Sequence, residues 1–197
     1  MSEFQLYFVL GKDDILDYRN GYDHIIFVIA LCALYLTREW RQILILVTAF
    51  TIGHSVTLAL STLEIISVNV ALVEFLIPLT IFITAISNLF KNENSLSNRK
   101  VHINYLFAGF FGLIHGMGFS SYLRSILSKE ENITTPLLAF NLGLEFGQLI
   151  IVAIFMTIAF VLVDLFGLNR RDWKMVISSA IAGIALVLMR ENMYWLE

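Results

Sequence analysis

Six ionisable side chains stand where such groups are expensive: Asp23, His24, His54, Glu74, His115 and Glu145 all lie within long apolar runs, and Gln148 follows three residues after the last. A charged group at the centre of a membrane helix costs roughly 2.5–3.5 kcal/mol on insertion scales, so these groups usually face a bundle interior and mark ion pathways, proton relays or active sites. Imidazole and carboxylate without thiolate suit a borderline or moderately hard divalent ion, namely nickel, cobalt, zinc, iron or manganese, and disfavour copper(I). Three His with two or three carboxylates exceed the needs of one tetrahedral ion. Two ions, or one ion with a proton-coupled carboxylate, fit the set, and a metal-free His–Glu proton relay would use the same groups.

The spacing contains an echo. Phe50-Thr-Ile-Gly-His54-Ser and Phe111-Gly-Leu-Ile-His115-Gly are each followed, one apolar run later, by Val73-Glu74-Phe75 or Leu144-Glu145-Phe146. A His helix and then a Glu helix, used twice in one orientation, would suit a parallel repeat and predicts that two His and two Glu converge. Thr51, His54, Thr57 and Ser61 share one helix face, and Asn141, Glu145 and Gln148 share another. Thr51, Ser55, Asn141 and Gln148 are therefore candidates to hydrogen-bond metal ligands and fix their tautomers, although hydroxyls and amides also serve plain helix association. Gly112 and Gly116 flank His115, and Gly143 and Gly147 flank Glu145, at a spacing that lets helices approach closely. Pro78, four residues after Glu74, is expected to kink its helix and open space beside that carboxylate.

The elements that carry these residues follow from composition. Of 197 residues, 58% are hydrophobic and only 15% charged, against about 25% charged in soluble domains. Mean hydropathy is +0.77. The expectation is an all-α polytopic membrane protein, one domain over 1–197, with about six transmembrane helices in one bundle. The spans are expected near 22–36, 43–62, 71–90, 104–122, 136–163 and 175–189, the first and last being short. Phe4–Leu10 reads as a segment able to dip into the outer interface, and the N-terminus shows no removable signal peptide. A formal charge of -3 removes the electrostatic basis for nucleic-acid binding. Cys32 is the single cysteine, which excludes an intrachain disulfide and a Cys-based metal site.

Arg38, Arg41, Lys91, Arg99, Lys100, Arg170, Arg171 and Lys174 fall in one set of loops, against Lys12, Arg19, Arg124, Lys129 and Arg190 elsewhere. The positive-inside rule makes the first set cytoplasmic, which places both termini outside, in the cytoplasmic (inner) membrane. At about 1.5 Å per residue, His54, Glu74, His115 and Glu145 then lie roughly 6–14 Å below the outer ends of their spans, with Asp23 and His24 at the outer end of theirs. A site in the outer half of the bilayer is the expectation.

Gly21-Tyr-Asp23-His24, Phe50-Thr-Ile-Gly-His54-Ser-Val-Thr-Leu58, Val73-Glu74, Phe111-Gly-Leu-Ile-His115-Gly-Met-Gly-Phe119 and Phe140-Asn-Leu-Gly-Leu-Glu145-Phe-Gly-Gln148 resemble the HupE/UreJ family. The likeness runs from about Tyr7 to Met189. It implies a small polytopic membrane protein of hydrogenase or urease gene sets, regarded as a nickel or cobalt permease, with motif residues at Asp23, His24, His54, Glu74, His115 and Glu145. Members often carry a His-Ile pair where this chain reads Gly11-Lys-Asp-Asp14-Ile15, so Asp14 enters as a candidate oxygen ligand. The family's usual cleaved signal peptide is also missing here.

The first reading is a permease in which His54, His115, Glu74 and Glu145 bind a partly dehydrated Ni²⁺ or Co²⁺, with Asp14, Asp23 and His24 at the entrance. Asn88 and Asn104 could line a weakly polar exit or serve as helix-end amides. The rival is an outward-facing intramembrane metalloenzyme: metal-activated water, Glu74 or Glu145 as general base, and a lipid, lipidated or peptide substrate. A third is a metal sensor or accessory protein. One or two divalent ions (Ni, Co, Zn or Fe) are the expected cofactor or cargo. Membrane lipid, a second copy of the chain and metalloenzyme-maturation proteins are the partners considered.

Overall fold

A computed structural model describes residues 2–17, 22–66, 69–91, 98–118, 123, 126 and 133–193. Among them every regular element is helical: α1 Glu3–Leu16, α2 Tyr22–Cys32, α3 Trp40–Thr62, α4 Val70–Phe90, α5 Asn98–Gly118, α6 Thr134–Ala159 and α7 Arg170–Glu191. A short 3₁₀ turn, Thr37–Glu39, leads into α3, and a π-turn, Phe160–Leu165, extends α6. Helices overlap each of the expected spans with shifted ends, and the 119–122 end of the fourth lies outside the described residues. Four stretches are long and apolar enough to cross a membrane: Thr37–Thr62, Val70–Phe90, Thr134–Leu165 and Arg170–Glu191. Tyr22–Cys32 is apolar but shorter. The helix α5 has 21 residues but opens with Asn-Arg-Lys, and it is not one of the four.

Two seams of glycine set the closest helix pairs. On α3 and α5, a Cβ at Gly53 would overlap the Gly109 carbonyl, one at Gly112 the Phe50 carbonyl, and one at Gly116 the His54 carbonyl. Gly109, Gly112 and Gly116 lie against the carbonyls of Ala49, Phe50 and His54 in turn, so α3 and α5 run parallel. On α1 and α6, Gly11 meets the Phe140 carbonyl, Gly143 the Phe8 carbonyl and Gly147 the Ile15 side chain, again a parallel pair. Backbones this close gain dispersion contacts that larger side chains would prevent.

The α1 result departs from the interfacial segment expected at Phe4–Leu10. Its 14 residues, capped by a Ser2–Gln5 capping box, lie along α6 rather than across its end. Ile15 reaches Gly147, about 20 Å into α6 at the helical rise. Only Tyr7, Gly11 and Ile15 of α1 are buried, a single narrow stripe that a hydropathy reading of so short a segment does not register.

Helices α4 and α7 pack antiparallel. Glu74 and Pro78 share a cavity with Leu188 and Asn192 at one end, and the Lys174 ammonium donates to the Lys91 carbonyl at the other. Helix α4 is continuous through Pro78, which is itself buried. The end holding the starts of α3, α5 and α7 is tied by polar groups. Arg170 donates to Glu39 at 2.8 Å and to the Leu34 carbonyl at 2.8 Å, and Thr37 donates to Asp164 at 3.0 Å. Asn88 is buried and donates to the Ala30 carbonyl at 2.7 Å, while Asn104 accepts from Lys91 at 2.8 Å and donates to the Tyr35 hydroxyl at 3.1 Å. Both amides thus act as ties between helices.

Candidate functional site

Three helices each deliver one imidazole to the same region of the interior. His24 comes from the first turn of α2, His54 from the last third of α3 and His115 from the last turn of α5. The parallel α3–α5 seam places His54 beside Gly116, so both imidazoles reach the same level from neighbouring backbones. Ring centroids lie 6.1 Å apart for His24–His54 and 5.5 Å for His24–His115. Two imidazoles sharing a tetrahedral ion at about 2.0–2.1 Å would have centroids roughly 5 Å apart. The His24 ring is therefore within about 1 Å of that spacing from each of the other two. They are not closed about one position: among the described residues no group of three or more His, Cys, Asp or Glu has its donors gathered to hold an ion.

All three rings are buried, yet five of their nitrogens have no hydrogen-bond partner: both of His24, both of His54, and Nδ1 of His115. Asp23 Oδ1 stands 3.6 Å from His24 Nδ1, and the Thr80 hydroxyl 3.4 Å from His115 Nε2. Buried polar groups are overwhelmingly paired in proteins, and each orphan asks for an explanation such as an ion. On the side of α2, α3 and α5 away from their His-bearing turns, the rings rest on phenylalanine. Phe27 lies 4.9 Å from Phe50, 6.0 Å from Phe111 and 4.8 Å from His115, and Phe50 lies 5.2 Å from His115. On the other side, a cavity of about 220 Å³ is lined by Tyr22, Asp23, Glu74, Ile77, Pro78, Leu188 and Asn192. It is a mouth with two carboxylates.

The family model described as HupE / UreJ protein matches residues 1–196. The chain belongs to the HupE/UreJ family. Neither a curated protein nor a solved structure matches it. Membership points to a membrane protein with a role of the metal-permease type.

Within this HupE/UreJ chain the remaining expected residues divide. Asp14, at the end of α1, has a buried carboxylate oxygen without a partner and lies within electrostatic reach of His24 and Asp23. Glu74 is exposed on the mouth cavity. Glu145 is part-buried and accepts from Thr48 at 2.8 Å, so it faces α3 one to two turns before His54. Against the expected meeting of two His and two Glu, His24 lies beside both His54 and His115, while Glu74 lines the mouth and Glu145 meets Thr48. Gly143 and Gly147 receive α1, and their close approach delivers Asp14 in place of a second His–Glu contact.

Thr51 donates to Gln148 Oε1 at 2.8 Å, which leaves the Gln148 amide nitrogen buried and unpaired. Ser55 turns back to the Thr51 carbonyl at 2.7 Å, and Asn141 to the Leu137 carbonyl at 2.8 Å, with Asn141 Oδ1 unpaired. Thr80, Tyr22, Asn192 and the phenylalanines escaped the sequence reading. One signal was available: Phe precedes His by four in both echoes, one helical turn, which on α3 sets the Phe50 ring 6.0 Å from His54. Thr80 gave none, being a lone hydroxyl in an apolar run.

Proposed function

We propose that this protein is a membrane permease for a divalent transition metal, Ni²⁺ or Co²⁺, that enters at the Asp23/Glu74 mouth and is held by His24, His54 and His115 with Asp14 as an oxygen donor. The observation that carries this reading is the set of five buried imidazole nitrogens without a hydrogen-bond partner, brought from three helices into one region, with Asp23 next to His24 lining an acidic cavity. Imidazole with carboxylate suits these ions, and the carboxylates at the mouth draw cations from bulk and replace part of their hydration. Glu145, held by Thr48, supports the α3–α6 contact.

The decisive measurement is uptake into proteoliposomes with a metal-quenched dye inside. Wild-type protein takes up Ni²⁺ or Co²⁺ down an imposed gradient, while His54→Ala and His115→Ala reconstitute equally well and take up none. Equal uptake by wild type and the His variants sinks the proposal. The phenylalanine floor supports a second reading, an outward-facing metalloenzyme in which the ion stays bound and activates water with Glu74 as base. Bound metal without any uptake favours that reading.

A further inference from the structure

A second cavity, away from the imidazoles, has a different chemistry. It lies between α4 and α5 near the Arg170–Glu39 end, has a volume of about 80 Å³ and is open on one side. Leu31 and Leu46 form its back, Ile83 and Phe107 its rim, Phe111 its inner end, and Lys91 with Asn104 its polar end. Ile83 is 48% and Phe107 54% exposed. They sit inside helices that the sequence assigns to the bilayer, so the opening faces hydrocarbon.

The polar end is cationic. Lys91 Nζ donates to Asn104 Oδ1 at 2.8 Å in the lining, and outside it the Lys174 ammonium donates to the Lys91 carbonyl, so a second cation stands where α4 ends. No carboxylate belongs to the lining among the described residues. A divalent cation would meet repulsion there without compensation, which removes this cavity as a metal station. An apolar slot that opens to hydrocarbon and ends in a lysine ammonium at the end of a span complements one class of molecule.

We propose that this cleft seats an anionic phospholipid from the leaflet at the Lys91 end, with one acyl chain along Ile83, Phe107 and Leu31 and its phosphate at Lys91. The proposal stands on these residues alone and survives or fails independently of the metal reading. Phe111 is shared by the cleft and by the floor beneath the imidazoles, so the occupant touches a ring of the other site.

Native mass spectrometry of the full-length purified protein tests it, with phosphatidylglycerol and phosphatidylcholine of identical chains as probes. Wild type is expected to retain one phosphatidylglycerol about tenfold more than phosphatidylcholine. Lys91→Gln should bring retention down to the phosphatidylcholine level, and Ile83→Trp, which fills the opening, should lower both. Arg190→Gln, at the far end of α7, should change nothing. Should Ile83→Trp not elute as a single species, Ser87→Phe, one turn along the same lining, takes its place. Equal retention of the two lipids by wild type overturns the proposal, as does unchanged retention in Lys91→Gln or in the filled variant. Displacement by glycerol phosphate at equal concentration also overturns it, because a head-group site needs no acyl slot.

Discussion

Each orphaned imidazole nitrogen makes a separate claim about metal binding. If His24, His54 and His115 supply the ligands, each →Ala change is expected to weaken Ni²⁺ binding by more than the 10–100-fold typical of losing a partner that merely orients a ligand. Isothermal titration in detergent reads this directly. Thr80→Val removes the hydroxyl 3.4 Å from His115 Nε2 and is expected to cost about tenfold, at the lower end of that range. Glu145→Gln keeps the Thr48 contact and should leave affinity within about twofold, where Asp14→Asn should not. The three His were legible in the sequence because an imidazole in an apolar run is costly and therefore visible. The separation of Glu145 from them was not legible. It depends on which neighbour Gly143 and Gly147 receive, and a small-residue spacing names a close contact without naming the partner.

The same glycines decide what the helices do as units. At Gly112 an added methyl would meet the Phe50 carbonyl, and at Gly143 the Phe8 carbonyl, both rigid backbone. Ala at either site must push helices apart, with an expected loss of roughly 1–3 kcal/mol, the usual range for overpacking. Gly183 in α7 has nothing within 4 Å of an added Cβ, so Gly183→Ala should be neutral or gain up to about 1 kcal/mol through helix propensity. Thermal unfolding of the three variants in one detergent checks the contrast. Equal shifts in all three would mean the seams do not bear the packing. Element existence was legible wherever apolar runs exceeded about 20 residues, as in α3, α4 and α6. The docking of α1 was hidden because Lys12, Asp13 and Asp14 interrupt its apolar character, and its buried stripe is just Tyr7, Gly11 and Ile15.

At the scale of the whole molecule, permease and metalloenzyme differ in whether the floor under the imidazoles ever opens. Phe27, Phe50 and Phe111 separate the His cluster from the Lys91 end, and transport requires a second state in which they part. The chain carries its own reporter. Cys32, its single cysteine, lies on α2 five residues beyond Phe27 on the side away from the mouth and is 1% exposed. In the state described here a water-soluble maleimide should label it slowly or not at all. If saturating Ni²⁺ drives the protein through a transport cycle, Cys32 labelling in proteoliposomes is expected to accelerate at least tenfold, and only for reagent supplied from the Lys91 end. His54→Ala, unable to load, should show no acceleration. A ligand shifts an equilibrium only by its preference for one state over another, so metal that binds tightly and leaves Cys32 protected discriminates between no two states of the floor. That result would remove transport and leave a metal held for catalysis.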